Sequence, residues 1–166
     1  MASRRTLNLA GFGASAAALA FAFYSQHVMG LVPCHLCIFQ RVTMAALAAI
    51  FLLAALLSRH GGRGVVFAAL IGLAGAATLV TAGRHIWIQM QPEGTVAACG
   101  SDLAFMLDLL PVTEVILRVF EAGGECAKVD FSFLGLSMPA WVFALALVLT
   151  VGGIWNNLRR GRVVPR

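Results

Sequence analysis

Of the chain's 166 residues, 60% are hydrophobic and 11% charged, with a formal net charge of +5. A soluble domain of this length could not hide so much apolar surface, so the composition is that of an integral membrane protein. Eight of the twelve basic residues (Arg4, Arg5, Arg59, Arg63, Arg159, Arg160, Arg162 and Arg166) flank apolar runs, and all seven acidic residues fall between Glu93 and Asp130. That distribution is the one expected of membrane topology and argues against nucleic acid as a partner.

The first apolar run covers about residues 9–26, with Tyr24 suited to an interface. Ser3-Arg4-Arg5-Thr6-Leu7 also resembles a twin-arginine export signal, and Ala18-Leu19-Ala20 a cleavage site. The hydrophobic spans that follow directly favour a retained first helix over a removed leader. Either way the amino terminus starts on the cytoplasmic side. A second run, 38–57, leads into Ser58-Arg59-His60-Gly61-Gly62-Arg63-Gly64, whose glycines and positive charge predict a short cytoplasmic loop.

The third run, 65–86, carries Ala68, Gly72 and Ala76 at four-residue intervals, a small-residue stripe that predicts close helix packing. Arg84, His85, Trp87 and Gln89 mark its outer end, where His85 and Gln89 share a face if the helix continues that far. Taken alone, they read as a polar cluster anchoring the helix at the headgroups. Between the third and fourth runs lies the one sizeable polar stretch, and in it Pro111 can open a helix. Val112, Val115, Ile116, Val119 and Phe120 would form its apolar face, with Glu114, Arg118 and Glu121 opposite. Such a helix would lie along the bilayer surface. The fourth run, 138–155, opens at Met138-Pro139 and is bracketed by Trp141 and Trp155, and a basic tail follows. The expected architecture is an all-α membrane protein, a single domain over 1–166. It has four transmembrane helices and two outer loops at about 27–37 and 89–137, the second bearing a short interfacial helix.

Chemistry concentrates at Pro33-Cys34-His35-Leu36-Cys37. A C-x-x-C motif serves redox exchange, a structural disulfide or half of a zinc site, and the motif alone leaves all three open. Its position at the start of a membrane helix favours thiolate at Cys37, because the first turn presents unpaired N–H groups and the positive end of the dipole. Arg41, four residues on, adds a full charge on the same face, and an arginine so deep in an apolar run is costly unless it has a partner or a task. With both termini inside, both outer loops share a compartment, so Cys34, Cys37, Cys99 and Cys126 all stand on one side. A bridge between Cys99 and Cys126 would close a 26-residue loop and contribute about 3 kcal/mol in the chain-entropy picture. A zinc site from all four thiolates is disfavoured, since the second pair lacks the close spacing of zinc knuckles. No metal is expected.

Several blocks then combine: Gln26-His27-Val28-Met29, the C-x-x-C with Arg41, the His85 and Gln89 pair, Gly124-Glu125-Cys126, and Phe133-Leu134-Gly135-Leu136 with Met138-Pro139 and Trp141. In that order, and over nearly the full chain, they resemble the disulfide bond formation protein B (DsbB) family. The resemblance implies a bacterial inner-membrane enzyme, with both termini cytoplasmic and its cysteines in the periplasm, where disulfides persist. It would reoxidise the soluble dithiol oxidase DsbA and pass electrons to ubiquinone or menaquinone. Carried over by position, Cys99 would form the mixed disulfide with DsbA. Cys126, freed, would then attack Cys34 and leave Cys37 as thiolate beside the quinone. Arg41, His85 and Gln89 would contact the quinone. DsbA is a strong oxidant at about −120 mV, which ordinary structural disulfides near −300 mV cannot reoxidise, so a terminal acceptor is needed. Vitamin K epoxide reductase-like enzymes also join a four-helix bundle to quinone-linked thiols, but their corresponding C-x-x-C lies late in the bundle. A membrane protein with structural or zinc-bound, non-cycling cysteines is the alternative from another class.

Overall fold

The computed structural model describes residues 3–57, 63–91, 108–111, 113–115, 124–127, 129 and 131–159. Four long helices dominate: α1 (Arg4–His27), α2 (His35–Leu57), α3 (Arg63–Gln89) and α4 (Met138–Leu158). All four are long and apolar enough to cross a membrane. Even the shortest, at 21 residues, is about 31 Å long, which matches a hydrocarbon core of roughly 30 Å. Each helix outruns its hydropathy window at one or both ends. Hydropathy marks only the lipid-buried part, whereas the backbone ladder continues through polar residues until a cap or turn stops it.

Those stops are local. Ser3 caps α1, its Oγ accepting from the Thr6 N–H at 3.1 Å. Gly30, at φ +70°, turns the chain after α1 so that the Leu31 N–H returns to the Ser25 carbonyl at 3.1 Å. Before α4 stands a two-stranded antiparallel hairpin, β1 (Ser132–Phe133) and β2 (Leu136–Ser137). Its central pair, Leu134 at φ 51° and Gly135 at φ 78°, gives the left-handed turn that matches strand twist. The Trp141 Nε1–H of α4 donates to the Phe133 carbonyl at 3.0 Å, which ties the hairpin to the helix. The hairpin was not expected, because its strands of two residues are too short to show an alternating pattern.

The helices pack as sequential antiparallel neighbours: α1 on α2, α2 on α3, and α3 most extensively on α4, with a thinner contact between α1 and α4 closing the ring. At the centre Phe51 of α2 is 2% exposed. A Cβ on Gly11 of α1 would come within 2.8 Å of its ring, and one on Gly153 of α4 within 2.7 Å. Two missing side chains thus make room for one aromatic. The small-residue stripe of α3 needs a correction: Ala68 is buried, but Ala76 is exposed. The closest approach falls on Gly75, where a Cβ would sit 1.9 Å from Thr150 Oγ1. A four-residue spacing on a 3.6-residue helix drifts around the axis, so by the third repeat it has left the contact face.

Several buried polar groups are satisfied within their own helix or in a cluster at one end of the bundle. The hydroxyls of Ser15, Thr78 and Thr150 donate back to the carbonyls four residues earlier. At the arginine-flanked end, Asn8 Oδ1 accepts from both Asn156 Nδ2 and Asn157 Nδ2 at 3.0 Å, which joins α1 to α4. The loop 58–62 and the tail 160–166 lie outside the described residues. Of the helix expected after Pro111, residues 113–115 are helical. Glu114 and Val115 both donate to the Pro111 carbonyl, at 2.9 and 3.1 Å. Val115 is buried among Leu36, Ile88 and Cys126. Val112 and residues 116–121 lie outside the described residues.

Candidate functional site

The end of the bundle opposite the asparagine cluster holds the chemistry. Cys34 precedes the first residue of α2, and its carbonyl accepts from the Ile38 N–H at 3.1 Å. Cys37 therefore falls in the first turn, where the backbone N–H groups have no partner within the helix. The two sulfurs face each other at 3.0 Å, with Cys34, Cys37 and Cys126 all free thiols. His85, one turn before the end of α3 and 3% exposed, brings Nε2 to 3.9 Å from Cys34 Sγ. Both sulfurs and a ring nitrogen of His85 lie within 4.8 Å of one another.

Cys126 comes from a different part of the chain. It sits in a short 3₁₀ turn, Gly124–Ala127, and packs with Leu36, Ile88 and Val115, with Cys34 against the same cluster. The hydrogen bond from the Cys34 thiol is the largest influence on Cys126 and, with a further one from the Leu36 N–H, lowers its pKa to about 7 against the opposing effect of burial. The Leu36 N–H is one of the donors that the α2 ladder leaves unused, so helix geometry serves a cysteine ninety residues away. In return the Cys34 thiol is held well above its usual range, first by Cys126, then by Cys37 and burial. Cys34 thus lies between two other sulfurs, those of Cys37 and Cys126. Cys99 lies outside the described residues.

Arg41 is held from α1. It donates to Gln26 Oε1 and, at 2.8 Å, to the Ala22 carbonyl, and its guanidinium lies 5.3 Å from the centre of the Phe23 ring. These partners are all neutral, so the arginine is oriented without its charge being cancelled. Gln40, 5% exposed, places Nε2 at 3.2 Å from His85 Nδ1. Sequence alone gives Gln26 no role of its own and marks Gln40 only as a position able to tune rate or potential. Gln26 stood only inside a motif, and nothing in the sequence says which carbonyl or ring it will meet. The spacing of Gln40 from Cys37, three residues on one helical face, was the available signal.

Cys34, Cys37, Gln40, Arg41, His85 and Gln89 all line one cleft, whose other walls include Ala18, Leu19, Met44 and Val142. It encloses about 840 Å³ of space, part of it open to the surroundings. Apolar walls with a few convergent donors suit a flat, apolar ring bearing carbonyl oxygens, which a guanidinium and an imidazole can meet. The residues present therefore fit a quinone. They fit zinc less well. Two thiolates at about 2.3 Å from a tetrahedral ion stand roughly 3.8 Å apart, whereas these sulfurs are at 3.0 Å.

Residues 4–156 match the family described as Disulfide bond formation protein DsbB. The chain is 44% identical over 156 residues to a Disulfide bond formation protein B of Nitrosococcus oceani, covering 91% of this chain and 89% of that one. It is 43% identical over 161 residues to the protein of the same name from Xanthomonas axonopodis pv. citri, covering 95% and 92%. A Xanthomonas euvesicatoria pv. vesicatoria protein, again of that name, is 38% identical over 164 residues, covering 96% and 94%. With four apolar helices, a cysteine trio at one end of the bundle and a match over nearly its whole length, the chain belongs to the disulfide bond formation protein DsbB family.

Proposed function

We propose that this membrane protein reoxidises a periplasmic dithiol oxidase of the DsbA type and delivers the electrons to a membrane quinone, which sustains disulfide formation. The observation that carries the proposal is the packing of Cys126 against Cys34, with Cys37 beside a cleft that Arg41 and His85 also line. In the oxidised protein, Cys34–Cys37 and Cys99–Cys126 are the two bridges. The thiolate of reduced DsbA attacks Cys99, forming the intermolecular bond and breaking Cys99–Cys126. Cys126 departs as thiolate, and its low pKa makes it a good leaving group. Cys126 then attacks Cys34 Sγ, so that the Cys126–Cys34 bond forms, the Cys34–Cys37 bond breaks, and Cys37 carries the displaced electron pair.

Cys37 is suited to hold that charge. It lies in the first turn of α2, whose N–H groups have no partner within the helix, at the positive end of the helix dipole. Arg41, His85 and Gln89 would hold a quinone in the cleft, which would supply the acceptance of two electrons. The arginine clusters at residues 4–5, 59–63 and 159–166 support an orientation with both termini in the cytoplasm and the thiols in the periplasm.

The deciding assay uses purified protein with reduced DsbA and ubiquinone or menaquinone, following quinone loss spectrally. Stoichiometric oxidation of DsbA with quinone consumption is expected, and replacement of any one of the four cysteines should abolish it. Inert thiols in the presence of both substrates would defeat the proposal.

A further inference from the structure

Gln40 and His85 are both buried, and the contact between them, Gln40 Nε2 to His85 Nδ1 at 3.2 Å, links α2 to α3 directly beneath the thiols. An amide nitrogen can only donate a hydrogen bond, so the His85 nitrogen that meets it must present a lone pair. A neutral imidazole carries one proton, and with Nδ1 accepting, that proton belongs on Nε2. Nε2 is the atom that faces Cys34 Sγ at 3.9 Å, within the group of three ligand atoms that includes Cys37.

We infer that Gln40 is a positioning residue that fixes the tautomer of His85, so that Nε2–H is directed at the sulfurs of the C-x-x-C motif. With the opposite tautomer, two N–H groups would oppose each other at Nδ1, and a lone pair would face a sulfur about to gain charge. Burial makes both mismatches costly, since water cannot supply the missing partner. The helix supplies the placement. Gln40 stands three residues after Cys37 and Arg41 four, so one turn of α2 holds the sulfur, the group that sets the imidazole, and the guanidinium. The titratable and charged groups around His85 are Cys34 and Cys37 at the motif, Cys126 from the 3₁₀ turn, and Arg41 in the same cleft. The Cys37 side chain and the Cys126 backbone also hydrogen-bond the imidazole, and the neighbour placed at Nδ1 is Gln40. The inference deepens the proposed function, because it rests on the C-x-x-C sulfurs becoming anionic there, but the tautomer itself can be measured without DsbA or quinone.

The experiment is ring-nitrogen NMR on the full-length, reduced protein with ¹⁵N-labelled histidine in detergent micelles near pH 7.5. The His85 signals are assigned by their loss in His85→Asn. In the unmodified chain the proton is expected on Nε2 and absent from Nδ1. In Gln40→Glu the carboxylate can only accept, so Nδ1 becomes protonated. Gln40→Met removes the donor, and the ratio of Nε2–H to Nδ1–H should fall about threefold to tenfold, the value of one hydrogen bond. A proton on Nδ1 in the unmodified protein, alone or together with one on Nε2, overturns the inference. So does an unchanged Nε2–H form in both variants. The unmodified measurement decides the matter even if a variant fails to fold, and loss of DsbA oxidation with an intact Nε2–H tautomer would count against the enzymatic proposal alone.

Discussion

The interaction between Cys34 and Cys126 has a kinetic signature that structure alone can size. Consider the reduced protein with Cys37 and Cys99 replaced by serine, compared with the same protein also carrying Cys34→Ala. Cys126 has a pKa of about 7, against an ordinary value of 9.0, and the largest cause is the hydrogen bond from Cys34. The remaining influences oppose each other, burial pushing up and the Leu36 N–H and His85 pulling down, so removing Cys34 should return the midpoint close to 9. At pH 7 the thiolate fraction then drops from about one half to about one in a hundred, a factor of roughly 50. The rate falls less, because a more basic thiolate is a better nucleophile. With a Brønsted coefficient near 0.45, two units give back about eightfold. The protein retaining Cys34 should thus react about sixfold faster at pH 7 and about eightfold slower above pH 10, with the two profiles crossing between. The assay is mixed-disulfide formation at Cys126 with a small, membrane-permeant disulfide, followed by intact mass against pH. Coincident profiles, or parallel ones that never cross, would refute the argued role of Cys34.

Two further outcomes follow from geometry. Arg41→Met removes the guanidinium from the cleft while keeping an unbranched apolar stem. The KM for quinone should rise by about tenfold or more, as expected for a charge-assisted hydrogen bond in a partly buried site, and Gln26→Ala should move it in the same direction by less, measured over a range of quinone concentrations. Gly75→Val places a Cβ 1.9 Å from Thr150 Oγ1 and must push α3 and α4 apart, whereas Gly13→Ala meets nothing within 4 Å; thermal unfolding in detergent should show a marked loss for the first and little for the second.

The four helices were readable because membrane spans announce themselves by length and hydropathy, with arginines marking their ends. Their true limits were not, since Arg4, His35 and Gln89 extend the helices through residues that no hydropathy window includes. Interior packing was less legible still. The sequence offered several glycines at plausible spacings, and only the bundle shows that Gly11 and Gly153 flank Phe51 while Gly75 meets Thr150. Those are properties of helix rotation, which depends on which face of each partner is available. Similarly, Asn8, Asn156 and Asn157 are unremarkable as letters, yet they form the polar link between the first and last helices.

At the site, residue types were more telling than partners. Cysteine spacing and a deep arginine are unusual enough in an apolar chain to stand out, so Cys34, Cys37 and Arg41 declared themselves, whereas His85 by position alone reads as a headgroup anchor and gained its role only from the family resemblance. What the sequence withheld was the set of groups that orient them: Gln40 on His85, Gln26 and the Ala22 carbonyl on Arg41, and the Leu36 N–H on Cys126. Each orienting group is neutral, and each comes either from another helix or from the backbone. That choice has a physical reason. A carboxylate in place of either glutamine could hold its partner as well, but it would neutralise the charge of Arg41 or draw a proton onto His85 Nδ1, on the side away from Cys34. Amides hold the two donors in place and leave their donor strength for the cleft.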